Sequence, residues 1–361
     1  MRITVFINSL YGGGAERVAC NLSNYLSRKG HSVEILTMSE TERTYGLDEN
    51  VKVVHLLRLN ERRSKKWNII VRMPRFWKYL LFNRRDVYVV MLPTTTIMLL
   101  MFKWMFKARV IAAERVDPSV YPDKLAEKLR KYARKADGYV FQTEEEMLWY
   151  GYSVYHCHPI VIPNAINESF IRPRYNGEKR KTIASAGRLN AQKNYPLLVR
   201  AFSMIANEYP DLTLTIYGDG EERTKIEKLS ESLGIKERVF LPGNIENIAE
   251  EMEKNLMFVL SSDYEGMPNA LMEAMALGLP CISTDCPCGG PRFLIKQQVN
   301  GILVPINDRK AMAEAIREIL SDDNKANILS EAAREVTKTL SPEKIYGRWE
   351  KYIMESHKNN R

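Results

Sequence analysis

Apolar positions along the chain switch repeatedly between two periods. The opening run ITVFINSL has the character of a strand, ERVACNLSNYLSRKG then places apolar residues at helical spacing after a glycine turn, and HSVEILTM resumes the strand pattern. The second half repeats this grammar: TIASAG, LTLTIYG, RVFLPG, LMFVLSS and PCISTD are short strand-like runs. Between them lie the helical stretches YPLLVRAFSMIANEY, EERTKIEKLSESLG, IENIAEEMEK and PNALMEAMALG. Such alternation predicts parallel sheets covered on both faces. The longest apolar neighbourhood, VYVVMLPTTTIMLLMFKWMF (87–106), is broken by Pro93, three threonines and Lys103. It reads as a buried strand followed by an amphipathic helix, and no transmembrane helix is expected.

A chain of 361 residues exceeds what one hydrophobic core usually organises, so two domains are expected. Pro163, Asn164, Pro173 and Gly177 punctuate a polar stretch between the halves, which reads as a linker. The expected division is an N-terminal domain over 1–170, a C-terminal domain over 171–340 and a terminal helix over 341–361 that can pack back on the first domain. Five cysteines and a start without a basic, cleavable leader suit a reducing, cytoplasmic setting.

Charge separates the halves. Residues 1–175 carry 28 Lys/Arg against 17 Asp/Glu, whereas 176–361 carry 25 against 27. Between Arg58 and Arg85 stand ten basic residues and one acid, Glu61, interleaved with Trp67, Phe76, Trp77 and Tyr79. Two readings of this segment stay open: a surface lying on anionic headgroups, or a solvated basic face whose aromatics point into the core. Nucleic acid is not expected, because no zinc finger, basic zipper or RNA-binding aromatic signature accompanies the charge.

In open parallel sheets, ligands bind beyond the carboxyl ends of the strands. Three loops qualify. Gly12, Gly13 and Gly14 lie between a strand and a helix, where bare backbone amides can approach a phosphate, though without dinucleotide or Walker spacing. AGRLNAQKN supplies Arg188 and Lys193, a guanidinium and an ammonium suited to a diphosphate whose charge grows as a bond to it breaks. In YEGMPNALMEAMALG, Gly266 permits a tight turn and Pro268 suits the first turn of a helix whose amides favour an anion. Glu265 and Glu273 stand eight positions apart on either side of that helix start. Carboxylates there accept hydrogen bonds from sugar hydroxyls, so the expected ligand is a nucleotide sugar. Cys281, Cys286 and Cys288 lack zinc-ligand spacing, no Asp-x-Asp occurs, and neither a metal nor a cofactor is expected.

GGGAER, GRLNAQKN, YGDGEE and above all EGMPNALMEAMALGLPCISTD with the later NGILVP resemble the family-4 retaining glycosyltransferases over essentially the whole chain. The resemblance implies the α/β GT-B fold, two doubly wound Rossmann-like domains facing a central cleft, with acceptor binding in the first and donor binding in the second. It further implies that Arg188 and Lys193 neutralise the donor diphosphate, that Glu265 contacts the transferred sugar and that Glu273 holds the ribose. Gly13 and Gly14, Gly218, Asn244 and Ile245, and the stretch Gly266, Met267, Pro268, Asn269 and Ala270 are implied to line the donor. Many relatives place a histidine where AAERVDPS has Arg115, so Arg115 and Asp117 become acceptor-side candidates. His156 and His158 read as structural.

The implied activity is metal-independent, retaining transfer of a hexose or N-acetylhexosamine from a UDP-sugar to a polyprenyl-diphosphate-linked saccharide in bacterial capsule, O-antigen or glycan assembly. The implied location is the cytoplasmic face of the inner membrane, contacted through basic residues 58–85. Two alternatives stay open: a transferase using GDP-mannose or a soluble acceptor, and a non-catalytic nucleotide-sugar-binding protein.

Overall fold

The computed structural model describes residues 1–42 and 45–358, the last without its side chain. The chain forms two compact units, Met1–Ala165 with Glu343–Arg361, and Ile166–Pro342. The first border falls a few residues before the expected 170, and the tail beyond 342 belongs to the first unit. Residues 359–361 of the expected terminal helix lie outside the described residues.

Unit one holds a parallel sheet of β1 (Arg2–Ile7), β2 (Ser32–Thr37), β3 (Lys52–His55), β4 (Val87–Met91), β5 (Arg109–Ala113), β6 (Gly138–Phe141) and β7 (Ile160–Val161), in the order β3-β2-β1-β4-β5-β6-β7. Val5 of β1 pairs with Ile35 on one side and Val89 on the other. The strands are apolar almost end to end because helices cover both faces. On one face Phe6, Leu36, Val90, Val110 and Phe141 meet Phe76 and Leu80 from the helix Lys65–Phe82, Leu99 from Pro93–Met101 and Leu129 from Asp123–Ala133. The helix Pro93–Met101 is less amphipathic than expected: Thr95, Thr96, Met98, Leu99 and Leu100 are all buried, with the helix packed against β4 and the helix Asp123–Ala133.

The helix Lys65–Phe82 divides its aromatics. Phe76 and Tyr79 enter the core, while Trp67 and Trp77 stay exposed. Tyr79 is fixed there by a hydroxyl bond with Thr4 (2.9 Å) and another to Glu34, which also pairs with Arg85 at 2.7 Å.

The terminal helix Pro342–Lys358 packs in this unit, with Trp349 wholly buried. The Tyr352 hydroxyl accepts from the Tyr139 amide (3.0 Å) and donates to the His158 carbonyl (2.9 Å). Arg348 donates to the Val161 carbonyl, and Tyr346 packs against Tyr25 at 5.8 Å between ring centroids.

Unit two holds β8 (Arg180–Ala186), β9 (Thr213–Tyr217), β10 (Val239–Gly243), β11 (Asn255–Leu260), β12 (Cys281–Thr284) and β13 (Ile302–Val304), in the order β10-β9-β8-β11-β12-β13. Its core gathers Leu198, Phe202, Ile216, Met257, Val259, Ile282 and Ile316. All paired strands in both sheets run parallel.

Removing the indole of Trp349 strips a large buried side chain from the helix that closes unit one. Trp349→Ala is expected to cost about 3–5 kcal/mol of stability. Denaturant unfolding followed by circular dichroism checks this, and a loss below about 1 kcal/mol contradicts the packing described.

Candidate functional site

Strand order in unit two reverses between β8 and β11, so their following loops emerge side by side at the carboxyl edge. The first loop runs from Gly187 to Asn194. Asn190 caps the short turn Ala191–Lys193 through the Lys193 amide (3.3 Å), and Asn194, in the left-handed region at φ 42°, caps the helix Tyr195–Ile205. The second loop runs from Ser261 to Pro268 and leads into the helix Asn269–Ala276. Pro268 stands just before that helix instead of in its first turn. Its φ of −75° suits a helix but its ψ of 96° is extended, and as a proline it withholds no amide from the helix start.

The two loops are sewn together. The Asp263 amide donates to the Gln192 carbonyl (2.9 Å), Gln192 Nε2 to the Tyr264 carbonyl (2.9 Å), Ser261 Oγ to the Lys193 carbonyl (2.8 Å) and Asn194 Nδ2 to Asp263 Oδ1 (2.7 Å). At the centre Lys193 Nζ meets Glu265 Oε1 at 2.5 Å, with side-chain exposures of only 15% and 8%. Ser262 Oγ donates to the same oxygen at 2.6 Å, and Gln192 Nε2 approaches Oε2 at 3.4 Å. A shielded ammonium and carboxylate thus stand in contact, each fixed by its own loop.

Arg188 lies exposed on the first loop, and Glu273 is buried on the helix behind the second. Gly218 follows β9 and sits against the first loop: its amide donates to the Gly243 carbonyl (2.8 Å), its φ is 131°, and a Cβ there would lie 2.1 Å from the Gly187 oxygen. Asn244, exposed, and Ile245, half-buried, come directly after that Gly243. Met267 is buried, and Asn269 and Ala270 open the helix. Gly290 begins the helix Gly290–Leu294 and presses on the second loop so closely that a Cβ would fall 1.8 Å from the Gly266 oxygen.

The sequence reading missed Gln192, Ser262, Asp263 and Gly290. For Gln192 and Asp263 the partner is set by tertiary neighbours, Ser262 bonds Glu265 within its own loop, and a single polar residue carries no periodic signal. The glycine pair at 289–290 in the loop after β12 is the cue that could have flagged Gly290.

In unit one, Gly13 caps the helix Gly14–Arg28 with backbone alone, and the Tyr45 hydroxyl both donates to its carbonyl (3.0 Å) and faces its amide (3.4 Å). Arg115 and Asp117 follow β5 and are buried. The Arg115 guanidinium stacks over Trp349 at 5.0 Å and donates to Asn164 Oδ1 (3.1 Å), while its Nε and Nη2 and Asp117 Oδ2 have no partner among the described residues. Burial pushes Arg115 down to about 10, opposed by Glu146, Tyr346 and Glu114. Asp117 also caps the turn Pro118–Val120 through the Ser119 amide (2.8 Å). Beside it, burial pushes the Glu114 carboxyl up against the pull of donors from Tyr150, Tyr121 and the Arg115 and Val116 amides. His156 bonds the Ala136 carbonyl and His158 supplies the carbonyl that receives Tyr352. Among the described residues no group of three or more His, Cys, Asp or Glu is placed to hold a metal ion.

Two family models match the chain: Glycosyltransferase Family 4 over residues 12–170 and Glycosyl transferases group 1 over 167–336. The GalNAc-alpha-(1->4)-GalNAc-alpha-(1->3)-diNAcBac-PP-undecaprenol alpha-1,4-N-acetyl-D-galactosaminyltransferase of Campylobacter jejuni is 28% identical over 362 residues, covering 98% of this chain and 99% of that one. An exopolysaccharide phosphotransferase of Streptomyces coelicolor is 32% identical over 252 residues; the match takes in 69% of this chain but only 26% of that longer protein. Among solved structures, Anabaena HepE in complex with UDP and glucose superposes with a TM-score of 0.84 at 14% identity, covering 98% of this chain and 99% of that one.

The close approaches at Gly218 and Gly290 make a direct test. Gly290→Ala and Gly218→Ala are each expected to lower stability by about 1–3 kcal/mol, because backbone rather than a flexible side chain must give way. Gly46→Ala, with nothing among the described residues within 4 Å of the added carbon, is expected to be nearly neutral. Thermal unfolding of the three variants checks the ranking, and equal midpoints contradict it.

Proposed function

The chain belongs to the family-4 glycosyltransferases of the GT-B fold, and we propose that it transfers a hexose or N-acetylhexosamine, with retention, from a UDP-sugar to a lipid-linked saccharide. The observation that carries this reading is the Lys193–Glu265 contact, which joins a cation and an acid across the two loops at the switch point of unit two. A donor diphosphate competes with Glu265 for the Lys193 ammonium. When the phosphates take it, together with the Arg188 guanidinium, Glu265 is left to accept hydrogen bonds from the sugar hydroxyls. Glu273 holds the ribose, and the amides at the start of the helix Asn269–Ala276 add partial positive charge toward the diphosphate.

As the glycosidic bond lengthens, negative charge gathers on the leaving diphosphate, and fixed cations stabilise it more there than in the ground state. The incoming hydroxyl then attacks the sugar's anomeric carbon from the face the phosphate is leaving: its oxygen bonds to that carbon, the carbon–phosphate-oxygen bond breaks, and an oxygen of the departing diphosphate takes the hydroxyl proton. Cationic side chains do the work of neutralisation, and no metal is called on. Arg115, through the Nε and Nη2 that have no partner among the described residues, and Asp117 bind on the acceptor side.

Several relatives support a role in assembling bacterial surface saccharides: the Campylobacter jejuni relative is named for an undecaprenol-diphosphate-linked acceptor. An acceptor of that kind lies at a membrane surface, on the cytoplasmic face in this reading, with contact through basic residues 58–85. Among the described residues no helix is long and apolar enough to cross a membrane.

Arg188→Ala and Lys193→Ala are each expected to lose about 2–4 kcal/mol of transition-state stabilisation, roughly thirty- to a thousandfold in kcat/KM. Sugar transfer, or donor hydrolysis without acceptor, measures the loss, and near-normal rates in either variant contradict the assignment.

Glu265→Gln separates binding from chemistry. It releases Lys193 and removes a negative charge, so UDP is expected to bind several-fold more tightly while turnover falls at least about tenfold. Calorimetric titration that finds weaker UDP binding contradicts the competition described.

A further inference from the structure

The helix Lys65–Phe82 is apolar on two sides. Phe76, Tyr79 and Leu80 face the core. Trp67, Ile70, Pro74, Trp77 and Leu81, spaced three or four apart, form a second stripe on the opposite side, which is solvent-exposed. Ile70 is 63% exposed, Leu81 58% and Trp77 46%, and Phe82 at the end of the helix reaches 75%. The helix cannot roll this stripe inward, because Tyr79 is bonded to Thr4 and Glu34 beneath it. Trp77 stands edge-on to Phe102 at 5.9 Å, which connects the stripe to the turn Lys103–Met105, where Trp104 is 79% exposed.

Charge identifies the occupant. From Arg62 to Arg85 the chain has nine Lys/Arg and no Asp/Glu. Lys66 and Lys78 border the stripe and are exposed, and the Arg63 guanidinium lies 5.2 Å from the Trp67 ring centre. A second copy of this face would bring cations against cations. Indoles flanked by lysine and arginine suit the headgroup boundary, where the ring is shielded and the charge stays among phosphates.

We propose that the outward stripe of the helix Lys65–Phe82, with Trp104, inserts into the interface of an anionic lipid bilayer and holds the protein there lying in the membrane plane. This goes beyond the sequence-level expectation of attraction to basic residues, since the apolar side chains do the anchoring and the cations select the lipid. The inference rests on the transferase reading only for its purpose, the delivery of a lipid-linked acceptor. Docking itself can be measured without turnover.

The test is flotation of the full chain with vesicles of phosphatidylglycerol and phosphatidylcholine, against vesicles of phosphatidylcholine alone. The wild type is expected to float with the anionic vesicles, to keep part of its binding at high salt, and to show tryptophan fluorescence quenched by lipids brominated along the acyl chain. Combining Trp67→Ser, Trp77→Ser and Trp104→Ser is expected to weaken binding at least about tenfold with unchanged circular dichroism and UDP affinity. Lys65→Glu, Lys66→Glu and Lys78→Glu together are expected to abolish the preference for anionic lipid. Failure to float at low salt overturns the proposal. So does binding that disappears at high salt without quenching, or a self-association that the tryptophan variant abolishes. Quenching of the wild type is read even if a variant does not fold. A protein that floats but transfers no sugar sinks the transferase reading and leaves docking intact; one that transfers sugar to a short soluble acceptor without floating does the reverse.

Discussion

The contact between Lys193 and Glu265 is the constraint on which the proposed donor site depends. Opposite charges this far withdrawn from water lose much of their hydration, and their mutual attraction offsets that cost only when further hydrogen bonds complete the pair. Ser262 and Gln192 provide those bonds from the same two loops. The arrangement is therefore better understood as a held geometry than as a source of stability. It keeps an ammonium and a carboxylate a hydrogen bond apart at the edge of the sheet, where in the proposed function an arriving diphosphate exchanges one partner for another.

Everything that fixes this pair follows from strand order. A parallel sheet whose strand order reverses between β8 and β11 sends the connections that follow them to opposite faces, so the two loops leave adjacent strand ends side by side. The backbone then seals the loops from either side. Gly218 lets the connection after β9 press on the first loop, and Gly290 lets the connection after β12 press on the second. Unit one uses the same architecture differently. Its outward resources are a backbone-capped glycine turn, a buried arginine stacked on an indole of the terminal helix, and a cationic helix with an uncovered apolar side.

Much of this was legible in the sequence for one physical reason: strands buried on both faces are apolar nearly throughout, and the loops after them stand out by contrast. Lys193 and Glu265 could each be located because both follow such a run. What the sequence could not convey was partnership. That Gln192 serves Glu265 depends on loops more than sixty residues apart meeting in space, while Ser262, three positions before Glu265 in the same loop, is one polar residue among several there. Pro268 was placed one position too deep in its helix, since a proline is equally at home just before a helix and just inside it. The helix after β4 was expected to be amphipathic, but two of its threonines, Thr95 and Thr96, are buried, and a hydroxyl that bonds its own backbone, as Thr95 does with the Leu92 carbonyl, can be enclosed like an apolar residue. Composition left open which way the aromatics of 67–79 point. Their spacing held the answer, because Trp67 and Trp77 share one side of a helix while Phe76 and Tyr79 share the other.

The most direct test of the central claim is a comparison of affinity for UDP and for UMP, by calorimetry, in the wild type and in Lys193→Ala. If the ammonium held by Glu265 is there to receive a diphosphate, the wild type binds UDP at least about tenfold more tightly than UMP, and most of that preference disappears in the variant. Equal binding of the two nucleotides by the wild type, or a preference that survives the loss of Lys193, would contradict the account.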